Sequence, residues 1–510
     1  MSTRPRLSRE LVASLALAER TGVELPPVET LELPEKIVQF GTGAFLRGFA
    51  EYFVDEANRL GMFGGSVVAI SSTGSQRDEL LNEQDGLYTL AIQGVEGSAA
   101  RQRYRVIASL SRALSARDEW DAVLELARSP EIGIVISNST EVGIVLDEND
   151  HFDTNPPRSF PGKLTRFLAE RARAFDYDAE RGIVVLPCEL IDDNGDTLRA
   201  IVQELARRWK LGPRFERWLG DSVTFCNTLV DRIVPGVVSP AESERIGHLF
   251  EYRDGLLTAC ESYALFAIEG DDRLRARLCF TDADPRIIIA SDIRPYRERK
   301  VRVLNGAHTI SVPVALLAGL ETVRDAVEDE RVGRFIRRVV FDDIVPSLEA
   351  PGAEEFAAEV LERFANPYIR HALIDITLYG TTKMRVRVVP SIVDHFRRVG
   401  RPPTSLAFGF AAYLAFMRGD LQAERRTTGL VVPEDGEGDR IRDAWLDVDP
   451  HSDASLSLLA RRVCADKTLW GADLSLLNGF ADLVGEHLVR IIRQGIQPAL
   501  DAHLTEHATT

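Results

Sequence analysis

Short β-branched runs alternate with longer amphipathic stretches from Lys36 onward, and no other feature restricts the fold as much, because this is the pattern of a parallel sheet wrapped by helices. KIVQF (36–40), SVVAIS (66–71), IGIVIS (132–137) and GIVVLP (182–187) are apolar almost without interruption. Strands of that kind are buried on both faces. Helix-like sequence such as ARDEWDAVLELARS separates them. Residues 36–291 therefore predict a doubly wound, Rossmann-type α/β domain. Past about Asp292 the β-branched runs thin, and apolar residues recur at helical spacing through TISVPVALLAGLETV, LARRVCADKTLW and DLVGEHLVRIIRQ. Residues 292–510 predict a mostly α-helical C-terminal domain. Two domains suit a chain of 510 residues, which is too long for one core. Residues 1–35 read as an N-terminal extension, a helix plus a linker rich in Pro and Glu, with no assigned function.

The first strand runs into Gly41-Thr42-Gly43 and then into a predicted helix from Ala44 to Leu60, stopped by Gly61. A glycine turn between strand and helix lets backbone N–H groups receive a pyrophosphate, which makes Gly41, Gly43, Ala44 and Phe45 candidate dinucleotide ligands. Leu46 stands where a GxGxxG fingerprint has its third glycine. The acidic residue that usually meets the adenine ribose near the end of strand two is absent, since ISSTGSQR holds no Asp or Glu. Ser71 could bond the ribose, and Arg77 could meet a 2′-phosphate, so NAD and NADP both stay open on these residues. Asn138 and Glu141 in ISNSTEVGI follow a buried strand, where such a sheet presents groups to its ligand.

A net charge of −17 disfavours a nucleic-acid-binding role and means that an anionic substrate would need a local basic pocket. Cys188, Cys226, Cys260, Cys279 and Cys464 are scattered, with neither CxxC pairing nor HExxH elsewhere, so no disulfide scaffold and no metal is expected. No stretch reaches the roughly 18 apolar residues of a membrane helix, and the first residues lack a signal peptide's apolar run. The expected location is cytoplasmic.

In KVRVLNGAHT, Lys300, Asn305 and His308 are spaced i, i+5 and i+8. On an α-helix at roughly 100° per residue, Asn305 lies about 140° and His308 about 80° from Lys300. A lysine in a closed site can exchange a hydroxyl proton, an amide can hold a developing oxyanion, and an imidazole can bond a neighbouring hydroxyl. By themselves these residues fit a solvated lysine, a capping asparagine and a satisfied histidine better than they fit a reaction centre.

Together with GTGAFLRGF, NEQDGLYTL and NTLVDRIVP, this segment resembles the polyol-specific long-chain dehydrogenases, a family of mannitol dehydrogenases and hexuronate reductases. The matching motifs run from Lys36 to about Pro390. FPGKLT (160–165), LPCELIDDNG (186–195), VLNGAHT (303–309) and RFANPYIRH (363–371) are most similar to the hexuronate-reductase branch. The resemblance implies a metal-independent, NAD-dependent oxidoreductase that interconverts a ketohexuronate and its aldonate, tagaturonate and altronate foremost. It implies Lys300 as general acid/base, Asn305 as the carbonyl-polarising amide, His308 as a positioner of substrate hydroxyls, and Asp231 of the VDR motif as a modulator of proton exchange. Lys383 in GTTKMR matches a substrate contact, and a cationic clamp for the carboxylate would draw on Arg370, His371 and Lys383. Leu190 departs from the mannitol dehydrogenases, which carry a second oxyanion asparagine there, and ESYALFAIEG lacks a His and Trp expected of tagaturonate reductases. These departures keep mannitol, fructuronate or another polyol as alternative substrates, and a nucleotide-binding sensor without turnover as the alternative of another class.

Overall fold

A computed structural model describes every residue except 1–3, 17–21, 73, 75, 97–98, 140–142, 239, 251, 419–434 and 507–510. The chain forms two compact units, Met1–Gly94 with Arg101–Ile293, and Val95–Ala100 with Arg294–Thr510.

The first unit holds thirteen strands among its described residues: β1 (Glu35–Phe40), β2 (Ser66–Ser71), β3 (Tyr88–Glu96), β4 (Ala99–Ile107), β5 (Leu110–Ser115), β6 (Ile134–Ser137), β7 (Val184–Pro187), β8 (Thr224–Phe225), β9 (Thr228–Asp231), β10 (Gly236–Val237), β11 (Thr258–Glu261), β12 (Leu265–Glu269) and β13 (Ile287–Ala290). Six form an all-parallel sheet in the order β5-β2-β1-β6-β7-β8. Successive residues of its strands feed two cores. Val38, Val68, Val135 and Val185 point into one, and Ile37, Val67, Ala69, Ile136 and Val184 into the other. This two-sided burial is why the strands read as continuous apolar runs. The chain reverses direction across the sheet between β1 and β6, and ligands of such sheets bind outside the carboxyl ends of the strands at that point.

Two smaller sheets, β10-β11-β3-β4 and β13-β12-β9, complete the unit. The sequence reading named neither. Strand β4, AARQRYRVI, is exposed along its first half, so polar residues mask its periodicity. The helix expected from Ala44 to Leu60 is two helices, Ala44–Gly48 and Ala50–Arg59. The break has a packing cause. A Cβ on Gly48 would lie 3.0 Å from Val234, and fully buried Phe49 stacks on Phe45 and packs against Phe266. Gly61 stops the second helix at φ +69°.

The second unit is helical. Helix Thr404–Phe416 is apolar all round and buried from Ser405 to Phe416, as befits a central helix. Helices Ala307–Leu317 and Phe480–Gln494 pack on it, and Gly409 leaves room for Ile310. Three segments, Lys300–Gly306, Val339–Ile344 and Met384–Val388, are π-helical. All five cysteines are free thiols, with Cys279 exposed and the other four buried. Among the described residues no helix is long and apolar enough to cross a membrane, and no group of three or more His, Cys, Asp or Glu could hold a metal ion.

Candidate active site

In the first unit, β1 delivers the chain to Gly41, whose φ is +122° and where a Cβ would lie 2.9 Å from the Asn138 carbonyl oxygen. Both conformation and contact demand glycine here. A Cβ on Gly43 would meet nothing within 4 Å, so the turn is open above. Gly43 caps the helix that starts at Ala44. The amides of Ala44 and Phe45 have no intrahelical acceptors and are available to an anion. This geometry fits a dinucleotide pyrophosphate.

Buried polar groups tie the turn down from beneath. The Gln39 side-chain amide donates to the Gly41 carbonyl at 2.9 Å and to Glu51 at 2.8 Å, and the Tyr88 hydroxyl donates to the other Glu51 oxygen at 2.8 Å. Burial pushes the Glu51 carboxyl up despite these bonds. Arg47 donates to the Thr42 carbonyl at 2.8 Å and to the Thr258 hydroxyl. The sequence reading missed all of these residues. Their one signal was polar side chains, Gln39 above all, inside otherwise apolar elements.

A cavity of about 790 Å³ lies at the carboxyl ends of β2 and β6, lined by Ser72, Asn138, Ser139, Gly143, Ser159 and Phe160 among others. Ser71 accepts the Gly74 amide at 3.2 Å. Asn138 donates to the Cys188 carbonyl at 2.7 Å. Buried Glu189, another residue the sequence reading passed over, accepts from the Ser137 hydroxyl and from both the amide and hydroxyl of Ser139 at 2.9–3.0 Å. It thereby fixes Ser139, two residues after β6. Glu141 lies outside the described residues. Leu190 is 64 % exposed, so it is not held by the core. Asp231 is buried at the end of β9. The adjacent Arg232 turns instead to the carbonyls of Glu261 and Gly48 and over the Tyr52 ring.

In the second unit, the Lys300 segment corrects the helical expectation: Lys300–Gly306 is a π-helix, continuing as an α-helix from Ala307 to Leu317. In a π turn the amide of residue i+5 bonds the carbonyl of residue i. Asn305 therefore stands roughly one turn beyond Lys300 rather than about 140° round the helix. Arg302, Val303, Leu304, Gly306 and Ala307 are buried while Lys300, Asn305 and His308 are half-buried. Arg302 anchors the buried side through Asp394 at 2.8 Å and Ser391 at 3.4 Å. Gly306 lets a second π segment, Met384–Val388, come close, since a Cβ there would lie 2.9 Å from the Arg387 carbonyl oxygen.

His308 stacks on Phe364 with ring centroids 3.9 Å apart, and His371 meets it edge-on at 5.3 Å. Its Nε2 is buried with no hydrogen-bond partner among the described residues. Burial first, then the charges of His371, Arg363 and Arg387, hold His308 well below the usual histidine range. Burial and then the charge of Arg387 lower Lys383, opposed by Asp435, and burial alone lowers Arg387. Burial also lowers His371, opposed by Asp375 and helped by Lys383. Lys383 donates to the Ile376 carbonyl at 2.9 Å, and His371 is fixed by its own carbonyl accepting from the Val323 amide at 3.0 Å. Arg370, named from sequence for the same clamp, is exposed and is not among the charges acting on His308. Arg363 and Arg387 are. Sequence reasoning missed both, although Arg387 lies one helical turn after Lys383.

Comparison with known proteins bears on both units. Residues 35–280 match the mannitol dehydrogenase Rossmann domain and residues 292–456 the mannitol dehydrogenase C-terminal domain. The chain is 42 % identical over 473 residues to the altronate oxidoreductase of Bacillus subtilis, covering 92 % of this chain and 96 % of that one. It is 40 % identical over 479 residues to the altronate oxidoreductase of Yersinia pestis, covering 92 % and 97 %. Among solved structures, D-sorbitol dehydrogenase in substrate-free form superposes with a TM-score of 0.76 at 24 % identity, over 97 % of this chain and all of that one. The Pseudomonas fluorescens mannitol 2-dehydrogenase ternary complex with NAD and D-mannitol does so with a TM-score of 0.65 at 21 % identity, over 98 % and 100 %. Both family domains in order, and two-fifths identity along nearly the whole chain, leave one conclusion: the protein belongs to the mannitol dehydrogenase family.

Proposed function

We propose that the protein is an NAD(H)-dependent oxidoreductase that interconverts a ketohexuronate and its aldonate, with tagaturonate and altronate as the pair. The observation that carries the sugar-acid reading is the basic cluster of Arg363, Lys383 and Arg387 around His308 and His371, on a chain of net charge −17. A neutral polyol brings no charge to those cations. A substrate carboxylate would answer them through charge-assisted hydrogen bonds. The altronate oxidoreductases at about two-fifths identity point the same way.

The glycine turn and the cavity beyond β2 and β6 would hold the cofactor, which when bound supplies or accepts the hydride at the carbonyl carbon. The Lys300 ammonium gives a proton to the carbonyl oxygen during reduction and takes it back during oxidation. The Asn305 amide donates to that oxygen as negative charge grows on it. Neutral His308 orients a neighbouring hydroxyl through Nε2, the atom left without a partner.

A panel of hexuronates, aldonates and polyols with both nicotinamides, followed by NADH absorbance, tests the reading. Turnover is expected with tagaturonate and altronate, and Lys300→Ala should reduce it by about 10²–10⁴-fold, the usual worth of a general acid/base. Equal efficiency with mannitol would overturn the sugar-acid assignment. NADH binding without turnover on any substrate would favour the sensor.

A further inference from the structure

The adenine ribose of a bound dinucleotide is met, in folds of this kind, by an acid at the end of the second strand, and this chain has none between Ser66 and Arg77. The structure supplies one from the neighbouring strand. Strands β2 and β5 run parallel and in register to their ends, where Ser71 pairs with Ser115. The turn after β5 bonds back onto β2, with the Ala116 amide donating to the Ser71 carbonyl at 2.8 Å. Asp118 lies in that turn. The loop leaving β2 passes beside it at Gly74, where φ is +67° and a Cβ would lie 3.0 Å from both Asp118 Oδ2 and Ser115 Oγ.

Two acids follow β5, and they are placed differently. Glu119 is used locally, accepting the Ser115 amide at 2.8 Å. Asp118 is oriented by the Ser115 hydroxyl at 2.6 Å on Oδ2, and its other partner is the preceding residue, Arg117, at 3.2 Å on Oδ1. Both side chains of that ion pair are more than half exposed, so it binds weakly and yields easily to a ligand. The hydroxyl bond and Arg117 hold the Asp118 carboxyl below the usual aspartate range, which keeps it an ionised acceptor. Ser72, the residue after β2, lines the cavity at this corner of the sheet.

We propose that Asp118 is the acceptor for the adenine-ribose hydroxyls and the residue that excludes a 2′-phosphate, selecting NAD(H) over NADP(H). This rests on the dinucleotide reading above. Two like charges would be brought together by NADPH, whereas NADH offers a hydroxyl donor. Arg77, the other candidate at this corner, makes the opposite prediction.

The test is direct titration of the full chain with NADH, NADPH and ADP-ribose, by calorimetry and by quenching of intrinsic fluorescence, for wild type, Asp118→Asn and Asp118→Ala. Asp121→Asn, on the exposed face of the following helix, is the control, and a melting curve verifies the fold of each variant. Wild type should bind NADH at least ten-fold more tightly than NADPH. Both Asp118 variants should lose about ten-fold in affinity for NADH and ADP-ribose and bring the NADH to NADPH ratio near one, with Asp121→Asn unchanged. A wild-type preference for NADPH, or an unchanged ratio in folded Asp118 variants of an NADH-binding protein, overturns the inference alone. If wild type binds neither nucleotide, the dinucleotide reading fails and takes this inference with it.

Discussion

Burying Nε2 of His308 without a partner among the described residues costs on the order of 1–3 kcal/mol, a cost that a ligand oxygen would remove. His308→Phe keeps an aromatic disc against Phe364 and deletes the nitrogen. The expected result is a melting temperature within a few degrees of wild type or higher, with kcat/KM for the hexuronate down by about ten-fold or more. Unchanged kinetics would make His308 a packing residue only. Asp343 presents a different case, since burial raises its carboxyl to about 7 even though it accepts the Leu406 amide at 2.7 Å. A carboxyl raised on folding binds more protons in the native state, so its contribution to stability falls as pH rises from about 4 to about 7 and is constant above. Asp343→Asn removes that dependence. Chemical denaturation at pH 5 and pH 8 should show the variant gaining on wild type at the higher pH, by at most about 3 kcal/mol. A gap that does not widen would mean Asp343 ionises freely in the folded protein.

The two π segments are elements whose placement depends on one glycine. Gly306→Ala would put a methyl group 2.9 Å from the Arg387 carbonyl oxygen, so the segments must separate by a few tenths of an ångström or more. Misplacement of that size at a reaction centre is costly. The expected outcome is a fall in kcat/KM of about ten-fold or more, with a melting temperature lowered by only a few degrees. Wild-type kinetics in a folded Gly306→Ala would show that the close approach is not needed. Such geometry was only partly legible in the sequence. KVRVLNGAH read correctly as helical, but a π turn and an α turn draw on the same residues, and what separates them is packing against Met384–Val388, some eighty positions away. Strands β1, β2, β6 and β7 were legible because each is buried on both faces and is apolar along most of its length. The break at Phe49 was not, because its cause lies in Val234 and Phe266. Arg363 and Arg387 were unreadable for a similar reason. A charged residue on a helix looks the same whether it faces water or a histidine.

At the scale of the whole molecule, a net charge of −17 repels a sugar acid at long range, and the cluster around His308 must overcome that field at short range. Arg387→Gln separates the two. KM for the hexuronate should rise about ten-fold or more, as for loss of a charge-assisted bond, while any turnover of a neutral polyol keeps its KM. Equal effects on both would place Arg387 outside carboxylate recognition. The doubly wound sheet followed by a helical unit was readable from periodicity, whereas Asp118 was not, because nothing in the sequence says that the end of β5 lies beside the end of β2. The thiols provide one more handle. Cys188, Cys226 and Cys260 are sealed inside the first unit and Cys464 inside the second, while Cys279 alone is exposed. After Cys279 is capped with an alkylating reagent, the rates at which the remaining four react in native buffer become separate clocks for the opening of each unit. Mass spectrometry of the labelled peptides would then show which half of the enzyme loosens first, and which half a bound nucleotide or sugar acid holds shut.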